Sequence, residues 1–207
     1  MKSHQKLNPY FDIAYDSKER FCSYWHQINE IISLKPKKIL EVGIGNGFVT
    51  RYLRDKELNV TTLDIAHDLR PDVAGSVLAI PFKNGSFDVI GCCEVLEHLP
   101  YNEFSKALKE IHRVSRKHVV LSLPDVTTVY RINIELPRIR PIKKLIPHPL
   151  HRPTQHTFDG EHYFEIGKIE YPLKKIEVDI EQSGFEILRS YRVFEFYYHR
   201  FFVLGKL

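Results

Sequence analysis

Cysteine is scarce here: the 207 residues include only Cys22, Cys92 and Cys93. Three thiols make no disulfide framework, and the adjacent Cys92-Cys93 pair within an apolar run reads as core of a reduced, intracellular protein. Long apolar runs are missing as well, with no window of 18 apolar residues, so no conventional membrane-spanning helix is expected. Met1 to Pro9 carry lysines with no apolar stretch behind them, which argues against a signal peptide. A strong excess of one charge sign is also absent. The net charge of +4 does not demand nucleic acid as a partner, and none is expected. His148, His151, His156 and His162 have neither a compact H-x-x-x-H helix nor a cysteine beside them, so no metal site is expected. A cytoplasmic location follows as the default.

What is present suits one soluble core. With 43% hydrophobic residues the chain reads as a single domain over 1–207, with 1–34 as an N-terminal tail and helix and 125–167 as an insertion. Its organising stretch is Ile39-Leu40-Glu41-Val42-Gly43-Ile44-Gly45-Asn46-Gly47. Ile39, Leu40 and Val42 suit a strand covered on both faces, and the glycines suit a tight turn into a helix. Such a turn exposes free N–H groups to a ligand. A dinucleotide site wants G-x-G-x-x-G, which would place its third glycine at Phe48. Here the spacing is G-x-G-x-G, and Glu41 just before it repels a diphosphate but pairs with an ammonium group. The ligand expected is cationic and phosphate-free, carrying a nucleoside and an amino acid.

Glu41-Val42-Gly43-Ile44-Gly45-Asn46-Gly47 resembles the first motif of the class I S-adenosylmethionine-dependent methyltransferases, in their small-molecule, methyltransferase type 11-like branch. Leu-Pro-Phe-like and Glu-His signatures follow in order, as Ile80-Pro81-Phe82 and Glu97-His98. The resemblance is strongest from Leu34 to Pro124. It implies an α/β, Rossmann-like, doubly wound sheet of seven strands in the order 3-2-1-4-5-7-6, strand 7 antiparallel. Helices would flank that sheet, and a lid-like insertion would follow strand 5. The cofactor implied is S-adenosylmethionine. The cofactor-binding set is Glu41, Gly43, Gly45, Gly47, Asp64, Ile65, Ser76, Val77, Leu78, Cys93 and Glu94.

The residues support these assignments one by one. Asp64 closes the second strand, Leu58 to Asp64, about 20 positions beyond the first glycine, where one carboxylate accepts both ribose hydroxyls. Gly75 to Phe82 reads as a short strand leaving into a loop. Within it Ser76 stands where the family usually has an acid facing the adenine amino group, so that contact is weakened to a hydroxyl. Phe87 to Cys93 is the next strand, with Asp88 expected to bind backbone where that strand begins. It delivers Glu94 to Pro100 to the ligand edge of the sheet.

Helices are expected over Asp16 to Leu34, with Ser17 as cap and Phe21, Trp25, Ile28 and Ile32 inward, and over Asn102 to Val114. A strand over Lys117 to Leu123 follows. The insertion interleaves Val129, Ile132, Ile134, Leu136, Ile139, Ile142, Leu145 and Ile146 with Arg131, Arg138, Arg140, Lys143 and Lys144. It reads as a lid with its apolar side on the active site, or as a shallow contact with an anionic membrane through 126–146. A helix from Pro172 to Ser183 and strands at Phe185 to Arg192 and Phe201 to Leu204 complete the chain.

His98, which changes protonation near neutral pH, and His162 are the catalytic candidates. Tyr15, His98, His162, Tyr163 and Glu165 are the substrate-binding candidates, the last three resembling a His-Tyr/Trp-x-Glu element of related enzymes. The Asn-Pro-Pro-Tyr tetrad of the amide and nucleobase methylating enzymes is absent, since Ser122-Leu123-Pro124-Asp125 and Cys93-Glu94-Val95-Leu96 follow the strands. A small-molecule, sugar or lipid-linked acceptor is therefore expected, and a homodimer is compatible. Two other classes stay open. A nicotinamide-dependent oxidoreductase is opposed by Glu41 and Phe48, whereas a non-catalytic partner protein of this fold is consistent with Ser76.

Overall fold

The computed structural model describes residues 9–12 and 15–207; the expectation for the extreme N-terminus lies outside the described residues. Strand β1 (Lys38–Val42) is the hub of the sheet, pairing in parallel with β2 (Asn59–Asp64) on one side and β4 (Phe87–Cys93) on the other. Beyond β2 lies the two-residue β3 (Val73–Ala74). Beyond β4 lies β5 (Ser115–Pro124). After a separate hairpin of β6 (Val129–Ile134) and β7 (Ile142–Pro147), β8 (Phe185–Arg192) and β9 (His199–Lys206) close the sheet. The order is β3-β2-β1-β4-β5-β9-β8, with β9 antiparallel to both neighbours. This is the seven-stranded arrangement expected, β8 and β9 being its sixth and seventh strands.

The alternation of side chains along each strand divides the core into two layers. Ile39, Val60, Val89 and Val120 point to one face, where helices α1 (Lys18–Ser33) and α2 (Phe48–Asp55) cover them with Ile28, Ile31, Val49 and Leu53. Leu40, Ile90, Val119 and Leu121 point to the other, beneath α3 (Tyr101–Val114) and α4 (Leu173–Gln182), which add Phe104, Leu108, Ile111, Ile176 and Ile180. Each such Leu or Ile taken fully out of water is worth roughly 1.5–3 kcal/mol. Asp88 ties the strand beginnings together: its carboxylate accepts from the N–H groups of Lys37 and Lys38, each at 3.0 Å, and from Arg116 at 2.9 Å.

Three expectations need correction. Ser17 does cap α1, but Phe21, Trp25 and Ile32 are exposed; the helix buries Ser23, Gln27, Ile28, Glu30 and Ile31 instead. Ile28 and Ile31 of its inner face pack on the sheet, while Ser23 and Gln27 border a cleft, so only Ile28 of the expected stripe is inward. The residues from Gly75 to Phe82 form a loop, and the short edge strand is Val73–Ala74 just before them. Finally, the hairpin of β6 and β7 does not cover the cleft, and its apolar side is exposed at Tyr130, Ile132, Ile134, Ile142 and Ile146. It is fastened from its other side, where Arg131 lies over the Tyr197 ring and Lys143 pairs with Glu195 at 2.7 Å.

Candidate active site

At the C-terminal ends of β1, β2, β4 and β5 the sheet opens into a cleft of about 860 Å³. Parallel strands end here in loops whose side chains converge, the usual position of ligands in open α/β sheets. The glycine turn after β1 forms its floor. Gly43, Gly45 and Gly47 all take left-handed backbone angles, with φ of +80°, +52° and +71°. A Cβ on Gly43 would stand 2.3 Å from Val95 Cγ2, so any other residue there would force the Val95 side chain aside as well as strain the turn. Asn46 Oδ1 accepts the Phe48 N–H at 3.0 Å and so serves the start of α2.

Two acids face this turn from opposite sides. Asp64 Oδ2 accepts the Ile44 N–H at 2.9 Å while its Oδ1 accepts the Ala66 N–H at 2.8 Å. That holds the carboxylate at the lip of the cleft with lone pairs left for hydroxyl donors. Glu41 is buried beneath the turn and accepts the Thr50 hydroxyl; burial pushes its pKa up to about 7. Ser76 lines the cleft, its hydroxyl accepting the Leu78 N–H at 3.2 Å.

A second group gathers after β4. Glu94, itself at a positive φ of 51°, accepts the Ser122 hydroxyl at 2.7 Å. Its other oxygen lies 3.6 Å from His199 Nε2, and His199 Nδ1 meets the Ser23 hydroxyl at 2.7 Å. Burial lowers the His199 pKa to about 3, so this imidazole is neutral and its 3.6 Å approach to Glu94 is not an ion pair. Glu97 is wholly buried, and neither carboxylate oxygen has a hydrogen-bond partner. Burial and the neighbouring Glu94 raise its pKa well above the usual range. His98 joins Nδ1 to the Glu161 carbonyl at 3.0 Å, and burial lowers its pKa.

The loop 156–166 closes the far wall. Asp159 Oδ1 accepts the N–H groups of Glu161 and His162, at 2.9 and 2.8 Å, and Tyr163 N–H donates to the Glu97 carbonyl at 2.8 Å. His162 Nδ1 stands 3.3 Å from Glu165 Oε1, which raises the His162 pKa.

Most residues singled out from the sequence meet in this cleft. Glu41, Gly43, Gly45, Asp64, Ile65, Ser76, Val77, Cys93 and Glu94 line it, as do Tyr15, His98, His162 and Tyr163. Gly47, Leu78 and Glu165 do not. Gly47 sits at the start of α2, Leu78 serves the 75–82 loop, and Glu165 stands behind His162 and Tyr198. Of the insertion, only Phe158 and 160–163 reach the cleft.

Sequence reasoning missed Arg20, Ser23 and Gln27 of α1, and Tyr198 and His199 before β9. Arg20 reaches into the cleft, with its guanidinium 3.9 Å from the centre of the Tyr15 ring. The polar spacing Arg20, Ser23, Gln27 along one helical face was the available signal. The His148 to His156 cluster stays outside the cleft. Among the described residues, His98 and His162 each place a ligand atom within 4.8 Å of the other and of one from Glu97.

The sheet order, antiparallel final strand and glycine turn define a Rossmann-like fold of the methyltransferase type. Residues 40–123 match the family model described as "Methyltransferase domain". Over this stretch, about two fifths of the chain, it is similar to the class I S-adenosylmethionine-dependent methyltransferases. It is 29% identical over 102 residues to a ubiquinone biosynthesis O-methyltransferase of Pseudomonas aeruginosa, covering 42% of this chain and 43% of that protein. With an uncharacterised protein of Methanocaldococcus jannaschii it shares 35% identity over 85 residues, 38% of this chain and 36% of the other. The chain thus spans about two fifths of the length of these curated relatives.

Among solved structures, the 1,6-didemethyltoxoflavin-N1-methyltransferase of Burkholderia thailandensis, with bound S-adenosylhomocysteine, superposes with a TM-score of 0.61. The identity is 13%, with 94% of this chain and 81% of that one covered. Magnesium protoporphyrin IX methyltransferase from Synechocystis PCC 6803 gives a TM-score of 0.61 at 14% identity, covering 95% and 88%. Both likenesses speak to the fold.

Proposed function

We propose that this protein transfers the methyl group of S-adenosylmethionine to a small-molecule, sugar or lipid-linked acceptor. The observation that carries the reading is the charge of the cleft. In a chain of net charge +4, the cleft is lined by five carboxyl groups (Glu41, Asp64, Glu94, Glu97 and Glu161) against one arginine, Arg20. That balance suits a ligand with two cationic centres and one carboxylate, and it opposes a diphosphate. Structural relatives bound to S-adenosylhomocysteine support the same ligand class.

The residues fit the donor piece by piece. Asp64 accepts the ribose hydroxyls, Glu41 lies beneath the turn on the side of the ammonium group, and Arg20 offers a counter-charge to the carboxylate. Ile65, Ser76 and Val77 border the adenine side. When bound, the donor supplies an electrophilic methyl: the acceptor atom forms the new bond to carbon as the carbon–sulfur bond breaks, and its electron pair returns to sulfur. An acceptor hydroxyl must also release a proton, and the neutral His98 and the Glu94 carboxyl both face that space. Alignment and exclusion of water account for most of the remaining rate.

The hairpin bears on the acceptor. Tyr130, Ile132, Ile134, Ile142 and Ile146 form an exposed apolar face, with Leu136, Ile139, Arg138 and Arg140 exposed at the tip and Lys144 beside it. Apolar residues among cations match an anionic lipid surface, which favours a lipid-linked acceptor. Among the described residues, no helix is long and apolar enough to cross a membrane.

The test is incubation of the purified protein and methyl-labelled donor with a membrane and metabolite extract, followed by mass spectrometry. Labelled product together with S-adenosylhomocysteine is the expected result. Tight donor binding with no transfer to any acceptor would leave the non-catalytic reading instead.

A further inference from the structure

The chemistry proposed above leaves Glu97 unexplained. Its carboxyl is wholly buried, and both oxygens lack a partner among the described residues. A carboxyl buried without a hydrogen-bond partner is costly, and a cation that displaces its proton would supply the missing partner. Among the described residues, no lysine or arginine pairs with Glu97. The nearest groups are His98, with Nε2 4.0 Å from Glu97 Oε1, and His162; one ligand atom from each of the three residues lies within 4.8 Å of the others.

The two imidazoles are held as ligands are held. Each ties Nδ1 to oxygen, His98 to the Glu161 carbonyl at 3.0 Å and His162 to Glu165 and the Tyr198 hydroxyl at 3.3 and 3.2 Å. A proton on Nδ1 in those bonds leaves Nε2 with its lone pair toward the cleft, the outer-shell arrangement that orients metal-bound histidines. Glu94 stands beside Glu97 at the same end of the cleft, and Tyr163 N–H fastens the histidine-bearing loop to the Glu97 carbonyl at 2.8 Å. The loop that carries His162 is thereby locked over the residues that follow β4.

We propose that Glu97, His98 and His162, flanked by Glu94, form a divalent-cation site that holds an acceptor hydroxyl and a neighbouring oxygen beside the methyl donor. Two imidazoles with carboxylates favour Mn²⁺, Co²⁺ or Zn²⁺ over Ca²⁺. The open side of the site faces the cleft, so acceptor oxygens can complete the coordination. An oxygen on the ion loses its proton more easily, which readies it for methyl transfer. With Nε2 on the ion, His98 no longer takes that proton, and Glu94 or water receives it. The acceptor class indicated is a vicinal or aromatic diol, or a hydroxyl next to a carbonyl. The role toward the acceptor rests on the methyltransferase reading; binding of the ion does not.

The test is titration of chelator-treated, full-length protein with Mn²⁺, read by loss of the free-ion electron paramagnetic resonance signal. The expected result is about one ion per chain, weakened at least about tenfold by Glu97→Gln and by His162→Ala. His98→Ala, at a half-exposed side chain, gives the same weakening without opening the core. Absence of stoichiometric Mn²⁺, Co²⁺ and Zn²⁺ binding, or binding unchanged in both histidine variants, would overturn the proposal. S-adenosylhomocysteine affinity, measured by calorimetry on the same samples, keeps the two readings apart. Donor binding without ion binding rejects the cation site alone, and ion binding without donor binding rejects the donor reading alone.

Discussion

Asp64 Oδ2 lies 2.9 Å from the Ile44 amide nitrogen, joining the last residue of β2 to the glycine turn that follows β1. One carboxylate therefore shapes the turn and, on the reading above, accepts the ribose. Asp64→Ala should weaken S-adenosylhomocysteine binding by at least about tenfold, through loss of charge-assisted hydrogen bonds. Calorimetry is the check, and unchanged affinity would reject the ribose assignment.

Glu41 makes donor binding depend on pH. Burial raises its folded pKa from 4.5 to about 7. Because the folded value lies above the unfolded one, this group favours the unliganded fold at pH below 4.5, and that contribution is lost as pH rises through about 7. An ammonium group nearby favours the ionised form, so S-adenosylhomocysteine affinity should rise from about pH 6 to about pH 8, with proton release. Glu41→Gln should flatten the profile across the same range.

Gly43 tests the packing of the floor. With φ at +80° and Val95 Cγ2 at 2.3 Å from a built Cβ, Gly43→Ala strains the turn and must displace the Val95 side chain. A loss of about 1–3 kcal/mol in denaturant unfolding is expected, together with weaker donor binding.

Asp125 anchors the start of the insertion. It is buried, accepts from Arg200 Nε at 2.7 Å and from the Thr127 N–H at 2.9 Å, and lies 3.7 Å from Arg192. Asp125→Ala leaves two cations without their counter-charge and should cost about 3–5 kcal/mol. Thermal unfolding is the measurement.

The hairpin makes its own prediction. Wild-type protein should sediment with vesicles containing phosphatidylglycerol and not with phosphatidylcholine alone, and Ile132→Asp with Ile142→Asp should abolish it. Equal recovery of the double variant would reject the lipid contact, and a concentration-dependent dimer lost in that variant would assign the face to a second copy.

How much of this was legible beforehand follows from physical range. Strand positions and the glycine turn came from local pattern: Ile39, Leu40 and Val42 alternate between two buried layers, and no distant residue is needed to see it. Asp64 was legible because its distance along the chain from the turn is fixed by the crossover. The inner face of α1 was not, since Arg20, Ser23 and Gln27 face a cavity and a polar stripe looks like a solvent face until the cavity is known. Glu97 and His162 are separated by most of the loop and by α3, β5 and the hairpin, so only the folded chain reveals their meeting. Nor did alternating apolar and basic residues at 129–146 say which side of a hairpin would be fastened; Glu195 and Tyr197, far along the chain, decide it.

Calorimetric titration of the purified protein with S-adenosylhomocysteine and, in parallel, with NADH tests the central claim most directly. Saturable one-to-one binding of the former, lost in Asp64→Ala, with no heat from the dinucleotide, is the predicted result. Binding of the dinucleotide, or of neither compound, would contradict it.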